Sequence, residues 1–303
     1  MVTTKKVHEV YPETTGDQWG ATMSSRRTMQ TWPRRISGPE DIPEDFVGCG
    51  AFDGATYEEA VFVPEDMVLI NGRPTKTLPQ VVLLQGERLT ILEKTRKGIV
   101  SVSHDLSDIH LLRVRKVLLS AEFSVASRRG FSHISYNAAR HSLFDPFQAA
   151  VRRAWIGRKE APGVMPSVET QREKLAALPG IHHKFVSYGA TALLPGESIV
   201  KMLFRDSINI KKTRRGLFRW IDHFTSPLLV MRSEDEMIMV EEPGRTRKRK
   251  QREFGGIFTY VPLSRIKTMA LEEGEPARLR IELPDGQPVV QFFCNSAQVR
   301  ALL

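Results

Sequence analysis

Two clusters of basic residues in the C-terminal half of the chain are the strongest candidates for chemistry. The first carries five positive charges between positions 211 and 219, and the second carries six between 245 and 252. Guanidinium and ammonium groups form strong, charge-assisted hydrogen bonds to phosphate oxygens, so the sequence predicts a site for anions or phosphates. Its residues are Lys211, Lys212, Arg214, Arg215, Arg219, Arg245, Arg247, Lys248, Arg249, Lys250 and Arg252.

Each cluster also has a simpler interpretation. The run from Arg245 to Arg252 is compatible with a solvated loop whose charge keeps it in water. In the first cluster Leu217, Phe218 and Trp220 interleave with the cations, a pattern that suits a membrane interface, nucleic acid or a buried protein contact. These three residues are equally compatible with an ordinary core, and the sequence leaves the alternatives open.

The other reactive side chains predict neither a metal site nor an enzyme. The eight histidines lack cysteines or carboxylates at metal-ligand spacing, and His182 and His183, if they lie on a strand, point to opposite faces. A further polar group consists of Ser101, Ser103, Ser107, His104 and Asp105. Proximity in sequence does not give the geometry of a catalytic triad. We therefore predict a non-enzymatic protein without catalytic residues, metal ion or cofactor.

The composition is that of an ordinary globular protein. Apolar residues make up 41% of the chain and charged residues 26%. There is no run of about 18 apolar residues and no apolar stretch of the signal-peptide kind at the N-terminus, so we expect a cytoplasmic protein, or one peripheral at the membrane. The two cysteines, Cys49 and Cys294, are too few for a disulfide scaffold, and we predict that they do not pair. The net charge of +9 favours an acidic partner.

Short apolar runs separated by turn residues predict two series of seven strands, each followed by a helix. The first series is Met67–Asn71, Gln80–Leu84, Arg88–Glu93, Ile99–Ser103, Ile109–Val114, Ala121–Ser127 and Phe131–Tyr136, then the helix Ser142–Trp155. The second series is Ser198–Arg205, Pro227–Met231, Met237–Glu241, Ile257–Val261, Ile266–Leu271, Arg278–Leu283 and Val289–Phe293, then a short helix Asn295–Leu303. A further short helix is predicted near Val168–Leu178.

Local anchors indicate that the second series repeats the first. Leu106-Ser-Asp-Ile109 matches Leu263-Ser-Arg-Ile266 at an offset of 157 positions, whereas Pro79 matches Pro227 at an offset of 148. Pro64-Glu-Asp is matched with Pro195-Gly-Glu. The two offsets place about nine extra residues in the second copy, within 241–256.

The predicted organisation follows from these patterns. We predict an irregular N-terminal arm at 1–55, a first domain at 56–157, a linker with a short helix at 158–187, and a second domain at 188–303 with the basic insertion at 241–256. One basic cluster then lies in the loop between the first and second strands, and the other lies between the third and fourth. Because alternate connections of an antiparallel meander emerge at the same end, both clusters should meet at one rim.

This strand order resembles the pleckstrin-homology-like (PH-like) superfold, in particular the bacterial PH and GRAM-like domains. The segments that carry the resemblance are Val82–Leu92, Leu106-Ser-Asp-Ile109, Ser142–Trp155, Leu228–Val240, Gly256–Ile266 and Leu283-Pro-Asp-Gly286. The resemblance implies a mainly β protein with two seven-stranded bent sandwiches or barrels, each closed by a C-terminal α-helix, and it implies binding. Lipid-binding members carry a Lys on strand 1 and Arg-x-Arg in strand 2, whereas here the cations fall between the strands.

We therefore expect a tandem-domain adaptor. It engages a protein partner or an acidic, phosphate-bearing membrane surface through the basic rim of the second domain. The alternative function is nucleic-acid binding through the same residues. Exposed sheet edges, together with Val299 and Leu302 if the last helix leaves them uncovered, also suggest a homo-oligomer.

Overall fold

The computed structural model describes residues 30–52, 57–70, 73–158, 168–214, 220–243, 255–300 and 302–303. It is mainly β, with several antiparallel sheets and few helices, which confirms the predicted class. Both cysteines are free thiols.

The described residues of the N-terminal half include ten strands and one long helix. The strands are β1 (Arg34–Arg35), β2 (Glu59–Val63), β3 (Met67–Ile70), β4 (Arg73–Lys76), β5 (Gln80–Gln85), β6 (Arg88–Thr95), β7 (Gly98–Asp105), β8 (Ile109–Val117), β9 (Ser120–Ser127) and β10 (Gly130–Asn137). Helix α1 spans His141–Trp155. Its apolar face, which includes the fully buried Phe144, Phe147 and Val151, repeats every three to four residues, as an amphipathic helix requires.

In the C-terminal half, the part of the chain that the structure describes includes nine strands and three α-helices. Helices α2 (Val168–Ala176) and α3 (His183–Ala192) come first. The strands are β11 (Lys201–Arg205), β12 (Ile208–Arg214), β13 (Trp220–Thr225), β14 (Leu228–Arg232), β15 (Glu236–Glu241), β16 (Gly255–Pro262), β17 (Thr268–Glu272), β18 (Ala277–Glu282) and β19 (Pro288–Phe293). Helix α4 spans Ser296–Arg300.

The chain divides into two compact units whose segments interleave. Unit 1 comprises 1–106, 119–122 and 133–154, and unit 2 comprises 107–118, 123–132 and 155–303. The predicted domains are contiguous segments, and their boundaries stay a prediction. In unit 1 a five-stranded sheet has the order β1-β2-β5-β6-β7. Ile36 and Phe46 of the N-terminal arm pack on its core with Phe62 and Leu83.

A second, larger sheet lies mostly in unit 2. The order of this seven-stranded sheet is β10-β9-β8-β16-β15-β14-β11, and β17-β18-β19 form a separate three-stranded sheet. Apolar side chains from β14, β15, β18 and β19 share one core with Val299 and Leu302 of the C-terminal segment. The prediction that Val299 and Leu302 are uncovered is wrong, because both are buried there.

The strand registers define the internal repeat and correct one predicted strand. The first strand of the first copy is β2, which pairs with β5, as β11 pairs with β14. Residues 67–70 of the predicted first strand, Met67–Asn71, instead form β3 of a hairpin with β4, and Asn71 lies outside the described residues. Pro64 follows β2, whereas Pro195 precedes β11, so these two prolines are not equivalent.

Two other anchors do occupy equivalent places. Pro79 and Pro227 each lie directly before the second strand of their copy, β5 or β14. Leu106 and Leu263 each begin a short 3-10 turn after the fourth strand. Each copy therefore consists of four strands, three strands and a helix, with a hairpin between the first two strands.

The register also locates the extra residues of the second copy. Glu93 pairs with Val100, seven positions further along the chain. The equivalent Glu241 pairs with Ile257, sixteen positions further along. The difference of nine residues lies between β15 and β16, in the basic segment.

Candidate anion-binding site

One row of paired residues crosses unit 2 at the end of its large sheet. Arg205 pairs with Leu228, Leu228 with Glu241, Glu241 with Ile257, and Ile257 with Arg115. Directly paired residues of neighbouring strands project from the same face of a sheet. We call this end of the sheet the basic edge. It consists of the paired row together with the β12–β13 hairpin and residues 242–254, which begin and end beside the row.

Both basic clusters are attached to the basic edge. The hairpin β12–β13 connects β11 to β14, and residues 242–254 connect β15 to β16. Because neighbouring strands are antiparallel, both connections leave the sheet at the end marked by Arg205 and Glu241.

Three residues of the first cluster do not lie in a loop, which corrects the prediction for them. Lys211, Lys212 and Arg214 lie in β12, and Lys212 pairs in register with Asp222 of β13. The irregular register between Asn209 and Lys211 is a bulge, which interrupts the alternation by which a strand is recognised in a sequence. The other eight predicted site residues lie outside the described residues: Arg215, Arg219, Arg245, Arg247, Lys248, Arg249, Lys250 and Arg252.

Arg205 is a buried cation at the basic edge that the sequence analysis did not identify. Its side chain is only 2% exposed, and Nη1 donates to the Asp206 carbonyl oxygen at 2.9 Å and to Thr225 Oγ1 at 2.6 Å. Its Nε has no hydrogen-bond partner among the residues that the structure describes. Burial lowers the pKa of Arg205 to about 10, although the neighbouring charge of Glu241 opposes this shift. Arg205 is thus positively charged at neutral pH.

Glu241 is the acidic counterpart in the same row. Burial raises the pKa of its carboxyl group, while the positive charges of Arg113 and Arg205 and a hydrogen bond with the Gln291 side chain act to lower it. In the sequence, the pair of Arg205 and Glu241 can be recognised only by comparing the two copies of the internal repeat. In the first copy, Val63 stands where the second has Arg205, but the correct strand register is needed to see this.

An apolar turn lies at the same end of the sheet. Val117, the last residue of β8, pairs with Gly255, the first residue of β16. The next two residues, Leu118 and Leu119, form the turn to β9 and are 73% and 63% exposed. Leu118 also has a positive φ of 51°, which is rare for a leucine, whereas Asn-Gly or Asp-Gly is the usual choice for a two-residue hairpin turn.

The polar group around His104, which the sequence analysis did not assign to catalysis, makes ordinary structural contacts. Asp105 forms an ion pair with Arg88 at 3.1 Å, and Ser103 Oγ lies 2.9 Å from Thr90 Oγ1. His104 is buried and follows Ser103 directly in β7, so the two side chains project from opposite faces.

Two of the described histidines each form a simple pair with an acid. His182 and His183 stand at the beginning of α3, not on a strand. His110 is buried, and its Nε2 lies 2.9 Å from Asp285 Oδ2. Within the described ranges, no group of three or more His, Cys, Asp or Glu side chains could hold a metal ion.

Comparison with known proteins does not assign the chain to a family. No protein-family model matches the sequence, and no curated protein matches it. In the part of the chain that the structure describes, no helix is long and apolar enough to cross a membrane.

Proposed function

We propose that the protein is a non-enzymatic adaptor that binds an acidic membrane surface through the basic edge of unit 2. The observation that carries the proposal is the exposed Leu118–Leu119 turn, which stands at the same end of the sheet as the connections that bear the basic clusters. Apolar side chains and cations at one end of a domain suit the two layers of an anionic bilayer, namely its acyl chains and its headgroups.

The charge of the basic edge supports an anionic target. Residues 244–254 contain six Lys and Arg and one Glu, and Arg115 and Lys116 occupy the end of β8 beside the start of β16. A Lys or Arg close to an anionic leaflet contributes about 1 kcal/mol to binding. Several cations at one edge can therefore hold a protein at such a surface.

The apolar turn favours a membrane over a nucleic acid as the target. The side chains of Leu118 and Leu119 cannot stack on a nucleic-acid base, since stacking requires an aromatic ring or a guanidinium plane. Fully burying one leucine side chain contributes about 1.5–3 kcal/mol. Insertion of this turn into the headgroup region would thus add to the electrostatic attraction.

The strand order supports PH-like modules as the scaffold. Each copy has four strands, then three strands, then a helix, with a hairpin between its first two strands. In this proposal the first copy, which lacks the basic insertion, serves as scaffold or as a surface for a protein partner.

Vesicle binding tests the proposal. The protein is sedimented with vesicles of neutral lipid alone or with added anionic lipid, and its binding to duplex DNA and single-stranded RNA is measured at the same salt concentrations. We expect binding to anionic vesicles only, with a loss as salt rises. Replacing the six cations between Arg245 and Arg252 by Gln should abolish it, and Leu118→Ser combined with Leu119→Ser should weaken it several-fold.

The matched control is Phe131→Ser. Phe131 is exposed and belongs to the β9–β10 hairpin, whose turn residue Arg128 hydrogen-bonds to Asp108 at the opposite end of β8. This variant should bind vesicles like the wild type. Binding to DNA or RNA without vesicle binding would overturn the membrane proposal in favour of a nucleic-acid target, and unchanged vesicle binding by the six-cation variant would overturn the role of the basic edge.

A further inference from the structure

The outer edge of β7 is an open, apolar sheet edge. β7 is the last strand of the five-stranded sheet of unit 1, and within the described ranges only β6 pairs with it. Val100 and Val102 are 49% and 41% exposed, and no Lys, Arg, Asp, Glu or Pro occurs from Gly98 to Ser103. Proteins usually protect such an edge with charges, proline or a covering segment. This edge lacks the first two protections.

The second copy shows what covers the equivalent edge. β16 is the counterpart of β7 at the offset of 157 positions, and both strands begin with a positive-φ glycine, Gly98 or Gly255. In unit 2 the edge of β16 is filled by β8, which pairs with it antiparallel from Gly255↔Val117 to Tyr260↔Leu112. The fourth strand of the second copy is thus paired with the fifth strand of the first.

A matching open strand exists for β7. β17 is the counterpart of β8, since Thr268–Glu272 corresponds at the same offset to residues 111–115 of β8. In the three-stranded sheet β17 pairs with β18 alone, as far as the described residues show. The chain therefore contains one pairing of a fourth strand with a fifth strand, namely β16 with β8. Among the described residues, the other fourth strand, β7, and the other fifth strand, β17, each have an unpaired edge.

We propose that β17 of one copy of the protein pairs antiparallel with β7 of a second copy, which repeats the β8–β16 junction between molecules. In the β8–β16 junction the two residue numbers of each pair add up to 372, as in Gly255↔Val117. Because β7 precedes β16 by 157 positions and β17 follows β8 by 157 positions, the same sum gives the register of β7 with β17. It places Val102 opposite Ala270, and Ser101 opposite Leu271. This self-association goes beyond membrane binding and does not depend on it.

The junction is heterologous, because two different strands meet. Such a contact gives a ring if the rotation between molecules closes, and an open chain of molecules if it does not. Multiple copies would present many basic edges together, which strengthens attachment to a surface through multivalency.

Cysteine cross-linking tests the register. In a background with Cys49→Ser and Cys294→Ser, the Val102→Cys protein is mixed with the Ala270→Cys protein and oxidised. We expect a disulfide-linked pair that contains one chain of each kind. Val102→Cys mixed with Leu271→Cys is the control, since a shift of one residue places the two side chains on opposite faces. Equal yields in both mixtures, or no link in either, would overturn the proposed pairing.

Sedimentation velocity tests the association itself. The wild-type sedimentation coefficient should rise with protein concentration, whereas Val102→Lys and Ala270→Lys, each of which places a charge in the junction, should remain monomeric. Val168→Lys, at an exposed position at the start of α2, should associate like the wild type. A wild-type protein that stays monomeric at every concentration would refute the proposal.

Discussion

Arg205 donates a hydrogen bond from Nη1 to Thr225 Oγ1 at 2.6 Å, and this bond closes the root of the β12–β13 hairpin. The Ile208 backbone N–H donates to the same hydroxyl oxygen at 3.2 Å. The first copy closes its own hairpin in the same place, where the Asp66 backbone N–H donates to Thr77 Oγ1 at 2.9 Å. Both threonines stand two residues before the equivalent prolines, Pro79 and Pro227. The hairpin root is thus a conserved feature of the internal repeat.

The two hairpin roots should differ in their contribution to stability. Thr225→Val removes the acceptor of Arg205 and leaves a buried guanidinium short of a partner, so we expect the free energy of unfolding to fall by about 1–3 kcal/mol. Thr77→Val leaves no buried charge behind and should cost about 0.5–1.5 kcal/mol. Urea unfolding measures both values. A larger loss for Thr77→Val would contradict the role assigned to Arg205.

The paired glycines Gly98 and Gly255 should also respond differently to alanine. Both have positive φ, which costs about 1–3 kcal/mol for a non-glycine residue. A Cβ at Gly255 would also lie 2.0 Å from the Lys116 carbonyl oxygen, whereas at Gly98 nothing lies within 4 Å. We expect Gly255→Ala to lower the thermal midpoint clearly more than Gly98→Ala in dilute protein. Equal shifts would argue against the close approach of β8 and β16.

The ionisation of Glu241 should produce a distinct pH dependence. Its pKa is raised above the ordinary value of 4.5, so between 4.5 and the raised value the folded state binds more protons than the unfolded state. The free energy of unfolding therefore falls as pH rises through this window. Glu241→Gln has no proton to lose.

Urea unfolding of the wild type and of Glu241→Gln across this pH range gives the difference in their stability. That difference should move in favour of the variant as pH rises from 4.5 and become constant above the raised pKa. A difference that is independent of pH would show that burial does not raise the pKa of Glu241.

Sequence patterns located most strand cores, but not the pairing of strands. The runs that became β5, β14 and β16 are apolar and bounded by turn residues, so their positions follow from periodicity and turn chemistry. β2 was missed because its apolar stretch, Ala60–Val63, is short and ends at Pro64. The pairing of β8 with β16 could not be predicted, because 146 residues separate Arg113 from Thr259, and no local pattern records so distant a contact.

The sequence predicted the positive charge of the candidate site but not the contacts among its residues. The run of cations is visible in the sequence because like charges cluster locally. The partnership of Arg205 with Thr225 and Glu241 depends on the hairpin and on the sheet register. The exposed Leu118–Leu119 turn could not be told from a core segment, since a leucine pair beside a strand is usually buried.

The insertion of the Leu118 turn into an acidic bilayer is the central claim, and a fluorescent label tests it most directly. In the background without native cysteines, Leu118→Cys carries an environment-sensitive dye, and Phe131→Cys carries the same dye about 26 Å away along β8. With anionic vesicles we predict a blue shift and quenching by a bilayer-embedded quencher at position 118 alone, both reversed by salt. No change at position 118, or the same change at both positions, would contradict the claim.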